Sequence, residues 1–80
     1  MAAHDLKTWP EYFKEVAAGT KLFEIRKNDR NFQVGDTLFL WEFDPNKKKI
    51  TGEFLQAKIT YLTNFAQKDD YVVLGIKVID

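Results

Sequence analysis

Charged and amide side chains are concentrated in one ten-residue segment of this sequence. Residues 21–30 read K-L-F-E-I-R-K-N-D-R. In an extended segment Glu24 and Arg26 lie on the same face, because successive side chains of a strand alternate between faces. If that face lines a cleft, Arg26 presents a planar guanidinium that fits a phosphate group or a base edge. If it faces solvent, the two residues form a surface ion pair worth about 0–1 kcal/mol.

Three more residues of this segment are predicted ligand contacts: Lys21, Asn28 and Asp29. Strict alternation places Lys21 on the face opposite Glu24, so Lys21 joins the same cleft only if the chain twists locally near Gly19. Asn28 and Asp29 begin a polar loop that ends in Gly-Asp and turns into the next strand. The functional hypothesis depends on this basic and acidic group being gathered into one pocket.

Upstream of this segment, three other residues are candidate ligand contacts: His4, Lys7 and Trp9. His4 is the only histidine, so a catalytic histidine–carboxylate pair would have to use it; simple exposure to solvent is the alternative. His4 and Lys7 could both face the charged segment if this stretch packs along the sheet. Trp9 could stack on a base. Trp41, which stands in an apolar run, is instead predicted to belong to the core.

The composition excludes several kinds of chemistry. The chain contains no Ser and no Cys, which removes serine nucleophiles, disulfides and cysteine-based zinc sites. With a single His, neither a metal site nor a cofactor is predicted, and Asp69-Asp70 are interpreted as solvated loop residues. Twelve basic residues balance twelve acidic ones, so attraction of a nucleic acid would depend on a local patch.

The length and hydropathy indicate one domain over residues 1–80. The N-terminus lacks the apolar run of a signal peptide, and no stretch approaches the roughly 20 apolar residues of a membrane span. We therefore expect a cytoplasmic protein that does not bind membranes.

One helix is predicted near the N-terminus, over residues 9–18. Thr8 and Glu11 match a capping box, in which the two side chains satisfy free backbone N–H groups. Pro10 is suited to the first turn, and Gly19 is suited to a left-handed turn that ends the helix. The apolar face is formed by four residues at helical spacing: Tyr12, Phe13, Val16 and Ala17.

The remainder of the chain is predicted to consist of strands and turns. Strand patterns cover residues 22–27, 37–43, 50–63 and 71–79. In the first of these, Phe23 and Ile25 share one face. The third has a predicted buried row, formed by Leu55, Ala57, Ile59 and Tyr61, and Gly52 near its start could mark a bulge. The pattern indicates an α+β domain, with a curled sheet or small barrel and one helix packed against it.

A known motif covers the end of the predicted helix and the first strand. Residues 19–26 read G-T-K-L-F-E-I-R, which matches the G-x-K-x-x-E-x-R signature of ASCH domains. The match is extended by H-D-L-K-T-W-P-E-Y-F, R-K-N-D-R-N-F-Q-V-G-D and Y-V-V-L-G-I-K. On these residues the chain resembles a compact, uncharacterised ASCH-like branch of the PUA-like superfamily. The resemblance implies a pseudo-barrel of about five strands, with a cleft beside the helix lined by Lys21, Glu24 and Arg26.

The resemblance also implies a function. PUA-like domains commonly bind RNA or modified bases, so a binding module for RNA, a nucleotide or a modified base is expected. Some ASCH proteins instead hydrolyse acetylated cytidine, and they share the residues that correspond here to Gly19, Lys21 and Arg26. Their nucleophilic Thr corresponds to Glu24, and a carboxylate does not take over the role of an activated hydroxyl.

Two alternatives to the binding module remain open. A small amidohydrolase acting on a modified nucleoside such as acetylcytidine would use Glu24 as a general base and Lys21 to stabilise an oxyanion. A protein-interaction domain would expose an apolar patch.

Overall fold

One helix and five strands make up residues 1–79, the part of the chain that the computed structural model describes. In chain order they are β1 (Ala3–Thr8), α1 (Pro10–Ala17), β2 (Phe23–Lys27), β3 (Thr37–Asp44), β4 (Lys49–Thr63) and β5 (Tyr71–Ile79). The predicted α+β class is confirmed. No helix in this part of the chain is long and apolar enough to cross a membrane.

The five strands form one mixed sheet in the order β1-β3-β4-β5-β2. β1 runs parallel to β3, and the other neighbouring pairs are antiparallel. β1 and β2 are therefore the two edges of the sheet, yet Arg26 Nη2 of β2 donates a hydrogen bond to the Lys7 carbonyl of β1 at 2.9 Å. The sheet is thus curled into a half-barrel whose edges approach each other, in agreement with the predicted curled sheet.

Two irregularities bend β4. The register against β5 shifts between Ile59 and Tyr61, and the register against β3 shifts near Gly52, whose φ is +103°. Such bulges bend a strand and increase its twist. The extra residue, Thr60, also turns Tyr61 outward to 66% exposure. The prediction that Tyr61 is buried is therefore wrong, and Leu62 packs against the core instead.

The concave side of the sheet and one face of α1 enclose the core. Its members are apolar and at most 5% exposed: Leu6, Val16, Phe32, Leu38, Leu40, Ala57, Ile59, Val72, Leu74 and Ile76. β3, β4 and β5 contribute mainly alternate residues, as the two-residue period of a strand requires. Of the predicted apolar face of the helix, only Val16 is buried; α1 therefore covers the sheet with a narrow contact against β3.

α1 lies within the predicted range but begins without the predicted capping box. Trp9 occupies the N-cap position, and its carbonyl accepts hydrogen bonds from the N–H groups of Tyr12 and Phe13. Thr8 belongs to the ladder between β1 and β3, and its buried side chain faces the interior. Thr8 therefore cannot cap the helix, and that prediction is wrong. At the other end, Gly19 has a φ of +79°, which confirms the predicted left-handed turn.

The N-terminal stretch is a strand, which the sequence pattern did not predict. It pairs in parallel with β3, with His4 opposite Leu38 and Lys7 opposite Trp41. Because His4 and Lys7 are three residues apart, their side chains point to opposite faces of the sheet. The prediction that both could face the charged segment is therefore wrong.

A buried carboxylate, Asp36, holds the start of β1. Its Oδ2 accepts hydrogen bonds from His4 Nε2 at 2.9 Å and from Gln33 N at 3.0 Å. Its Oδ1 accepts one from Ala2 N at 3.1 Å. These bonds, the one from His4 foremost, lower the pKa of Asp36 from its ordinary value of 3.8. The His4 ring also packs edge-on against Phe32, so the single histidine has a structural contact on each side.

We expect the contribution of Asp36 to stability to disappear in acid. Because the folded pKa is lowered, this contribution is complete above the unfolded value near 3.8 and is lost as the pH falls through the folded pKa. The difference in unfolding free energy between wild type and Asp36→Asn should therefore shrink when urea unfolding is repeated from about pH 6 to about pH 3. Asp29→Asn, at an exposed site, serves as the control. A wild-type advantage that stays constant over this range would contradict the prediction.

Candidate functional site

A cleft of about 560 Å³ lies where the end of β1, the start of α1 and β2 meet. It is lined by Lys7, Thr8, Trp9, Tyr12, Lys21, Phe23, Glu24, Ile25 and Arg26. The structure thus brings together most of the residues that the sequence proposed as ligand contacts, namely Lys7, Trp9, Lys21, Glu24 and Arg26. Their role in binding stays a prediction.

The carboxylate of Glu24 is at the centre of the charged residues in this cleft. It is 3% exposed, and each of its oxygens is paired with a cation. Lys21 Nζ donates to Oε2 at 2.6 Å, while Arg26 donates to Oε1 from Nε at 3.1 Å and from Nη2 at 2.9 Å. The alternative of a solvent-exposed pair is therefore wrong. We call this arrangement, a buried carboxylate between two partly buried cations, the Lys21–Glu24–Arg26 triad.

Lys21 reaches Glu24 because it lies in the turn between α1 and β2 and not in the strand itself. The N–H of Lys21 bonds to the Glu15 carbonyl in the last turn of the helix, which fixes the direction of the chain after Gly19. Lys21 Nζ also donates to the Phe23 carbonyl at 2.7 Å. The local twist that the prediction required is present, and the Lys21 ammonium is held by two acceptors.

Arg26 is fixed on one side and open on the other. Besides its bonds to Glu24, its Nη2 donates to the Lys7 carbonyl at 2.9 Å and to Thr8 Oγ1 at 3.3 Å. Its Nη1 has no acceptor within residues 1–79, and no side-chain nitrogen or oxygen there is both buried and unpaired. Nη1 is therefore accessible to solvent. The guanidinium is thus fixed through Nε and Nη2, and Nη1 is the nitrogen that it leaves unbonded within these residues.

The main chain of β2 also borders the cleft. The Leu22 carbonyl accepts a hydrogen bond from the Ile76 N–H of β5. Since successive residues of an antiparallel edge strand bond alternately to the neighbour and to the open side, the main-chain groups of Phe23 and Ile25 point away from β5. Ile25 lines the cleft although its side chain is half exposed on the outer face, which is consistent with that orientation.

Arg26 joins the two edges of the sheet where a backbone ladder is absent, and Arg30 joins the loop after β2 to β1. Arg26 Nη2 bonds to the Lys7 carbonyl, as described, and Arg30 Nη1 bonds to the Asp5 carbonyl at 2.6 Å. Both acceptors belong to β1. The opening between β1 and β2 is therefore bridged by the Arg26 side chain, and the space beside it is the cleft.

Aromatic rings form the outer walls of the cleft. Trp9 and Tyr12 are each about half exposed, and Phe23 is 42% exposed. Lys21 Nζ lies 4.9 Å from the centroid of the Phe23 ring and 5.6 Å from that of Tyr12, within the range of cation–π attraction. The cleft therefore combines flat apolar walls with a cationic floor.

A model of a known protein family matches most of this sequence. Residues 3–76 match the model described as a domain of unknown function, DUF3850. The chain belongs to the DUF3850 family. The match covers every residue that lines the cleft.

One curated relative of this chain is a bacteriophage protein. The DUF3850 chain is 40% identical over 72 residues to an uncharacterised 12.9 kDa protein in the GpA 3′ region of Escherichia phage P2. The alignment covers 89% of this chain and 64% of the phage protein. The chain thus spans less than two thirds of the length of that relative.

Three predicted contacts of the DUF3850 chain lie outside the cleft. His4 lies near the start of β1, away from the cleft, where its Nε2 bonds to Asp36. Asn28 accepts a hydrogen bond from the Phe32 N–H through its Oδ1 at 2.9 Å and so shapes the loop after β2. The Asp29 side chain is 63% exposed. β2 ends at Lys27 and the chain then turns away, so the alternation that groups Glu24 with Arg26 does not continue to these residues.

The prediction that Trp41 belongs to the core is wrong. Trp41 lies on the convex face of β3, where its Nε1 donates to Asp5 Oδ1 at 2.9 Å and its ring packs on Phe54 at 4.7 Å between centroids. The sheet of the DUF3850 chain is covered on its concave side only. The apolar run of β3 resembles a strand that is buried on both faces, but the side chains on its convex face are partly exposed.

The convex face of β2 and its surroundings carry exposed apolar side chains. They are Leu22, Phe23, Ile25, Tyr61 and Phe65, with exposures between 42% and 82%. Phe23 and Tyr61 both pair with Gly75, so the two rings lie on either side of a residue without a side chain. Such a patch is what a protein-interaction domain would expose, and that interpretation stays a prediction.

Removing the charge of Glu24 should destabilise the domain. Glu24→Gln leaves Lys21 and Arg26 without their common counter-ion, although both can gain water, so we expect a loss of about 2–3 kcal/mol in unfolding free energy. Urea unfolding at neutral pH measures it. The matched control, Glu53→Gln, is exposed and should change stability by less than about 0.5 kcal/mol. Equal stabilities for the two variants would show that the triad contributes nothing to folding.

Proposed function

We propose that this DUF3850 chain is a PUA-like, ASCH-related module that binds RNA, a nucleotide or a modified base in the cleft between β1 and β2. The observation that carries the proposal is the state of Arg26. Its guanidinium is held by Glu24 and the Lys7 carbonyl, and its Nη1 is left free beside aromatic walls. The sequence resemblance described above supports the same class of ligand.

The aromatic walls suit the flat face of a base. Trp9 occupies the N-cap of α1 between two regular elements, so its main chain is fixed while its ring stays half exposed. Stacking of a base on such a ring contributes about 1–3 kcal/mol and does not depend on the identity of the base. The main-chain N–H and C=O of Ile25 supply a donor and an acceptor that can pair with a base edge.

The charges of the cleft suit a phosphate group. Lys7, Lys21 and Arg26 oppose the single carboxylate of Glu24, so the cleft carries an excess of two positive charges although the whole chain is neutral. Glu24 reduces that excess but fixes Arg26 in place. A preorganised guanidinium loses less entropy on binding, and Nη1 of Arg26 can donate to a phosphate oxygen without breaking the bonds of Nε and Nη2.

The proposal predicts which side chains determine affinity. Calorimetric titration with nucleosides, mononucleotides and short RNAs should detect binding that Trp9→Ala and Arg26→Lys each weaken by about tenfold or more, because the first removes a stacking face and the second removes the anchored guanidinium donor. Phe65→Ala and Lys77→Ala are the matched controls, since both side chains are exposed and lie outside the cleft. No binding to any of these ligands, or equal losses in the control variants, would overturn the proposal.

Hydrolysis of a modified nucleoside receives less support from the geometry. A general base must reach the water that it deprotonates, whereas both oxygens of Glu24 are bonded to cations and the residue is 3% exposed. We therefore assign Glu24 the role of a positioning residue for Arg26.

This assignment predicts that acetylcytidine is bound without being cleaved. Chromatography after incubation with the purified protein should recover acetylcytidine unchanged, at the level of the buffer control. Turnover above that level that is lost in Glu24→Gln, under conditions where the variant remains folded, would restore the amidohydrolase alternative.

A further inference from the structure

We propose that the ligand is a single-stranded nucleic acid that continues from the cleft into a neighbouring hollow on the outer side of β1. This inference rests on the proposed function and names the form of its ligand. The hollow, of about 610 Å³, is lined chiefly by Asp5, Lys7, Arg26, Arg30, Trp41 and Ile50. We call it the second hollow.

The second hollow is continuous with the cleft. Lys7 and Arg26 line both, so these two cations stand at the rim that separates them. A chain whose phosphate lies on this rim would place one base among Trp9 and Tyr12 and the next nucleotide in the second hollow. A single nucleoside would occupy only one of the two spaces.

The second hollow adds one guanidinium, that of Arg30, to the two cations that it shares with the cleft. Lys7, Arg26 and Arg30 face one carboxylate, Asp5, one of whose oxygens is already bonded to Trp41 Nε1. Arg30 uses Nη1 for the Asp5 carbonyl, and its Nε lies 4.0 Å from Asp29 Oδ1. Its Nη2 has no acceptor within residues 1–79, and its side chain is 45% exposed. Like Arg26, Arg30 is anchored to the edge of β1 through one nitrogen and keeps another for a ligand.

Trp41 gives the second hollow a rigid aromatic surface. Its indole is fixed by the bond to Asp5 and by the Phe54 ring, which lies 4.7 Å away at an interplanar angle of 31°. The hollow therefore repeats the combination found in the cleft, an aromatic ring beside a guanidinium held at the edge of β1. Beyond Ile50, which also lines the hollow, the exposed lysines 47–49 of the β3–β4 hairpin extend the positive surface.

Repetition of an aromatic ring and a cation along one surface matches a polymer that repeats a base and a phosphate. A free nucleoside would leave the second hollow empty, and an acidic peptide would use its cations but not its aromatic rings. Single-stranded nucleic acid is the ligand that uses both.

The inference is tested by comparing a mononucleotide with oligonucleotides of about six residues, RNA and DNA, by fluorescence anisotropy and calorimetry. Wild type should bind the oligonucleotide about tenfold or more tightly than the mononucleotide. Arg30→Ala should weaken oligonucleotide binding about five- to tenfold, while mononucleotide affinity stays within about twofold. The plot of log K against log salt has a negative slope, and this variant should make it less steep by about 0.7. Lys77→Ala, which removes an exposed charge elsewhere, should change neither affinity.

The outcomes separate this inference from the proposed function. Equal affinities for mononucleotide and oligonucleotide, with no effect of Arg30→Ala, would overturn the second hollow and leave the cleft intact. Absence of any nucleotide binding would overturn the proposed function itself. Competition by polyglutamate as strong as that by the oligonucleotide would also overturn the inference, since it would identify a general anion surface. Thermal melting of Arg30→Ala shows whether a loss of binding is due to unfolding. Trp41→Phe is a second variant, and it too should weaken binding of the oligonucleotide and leave that of the mononucleotide unchanged.

Discussion

A buried carboxylate between two cations determines how the two edges of this sheet meet. Glu24 is removed from water, so its charge must be compensated by the protein. Arg26 provides that compensation, and the geometry that satisfies Glu24 also carries the guanidinium across to the Lys7 carbonyl of β1. The same contact therefore neutralises a buried charge, joins the first strand to the second, and sets the position of the donor that faces the cleft.

The half-barrel is closed by a side chain and not by a backbone ladder, and this leaves a space between β1 and β2. A ladder would bring β1 and β2 to within about 4.8 Å and leave no space between them, whereas the Arg26 side chain holds them farther apart and leaves a cleft. The bonds from Lys21, Arg26 and Arg30 also occupy carbonyls on the open edges of the two strands. Charged groups on a strand edge oppose pairing with another chain, so these three residues also protect the edges.

Features that depend on neighbouring residues in the sequence were sufficient to predict the charged residues of the cleft. Features that depend on contacts between distant residues were not predicted. The alternation of Glu24 and Arg26 and the turn at Gly19 depend on neighbouring residues, and both were predicted correctly. β1 was missed because its partner lies about 34 positions later, and the T-x-x-E pattern at its end also fits a capping box. Tyr61 was misplaced by a bulge, which shifts a two-residue period without a local signal. Trp41 was misplaced because the apolar run does not reveal that the sheet has only one covered face.

β2 reverses the usual arrangement of an edge strand. In most half-buried strands apolar side chains face the interior and charged ones face water, yet here Glu24 and Arg26 point inward while Phe23 and Ile25 are exposed. This reversal gives up hydrophobic stabilisation and adds the cost of desolvating charges. Sequences that contradict local rules in this way do so chiefly at functional sites. The reversed strand borders the cleft and carries its anchored arginine, so this departure from the usual pattern lies at the candidate site.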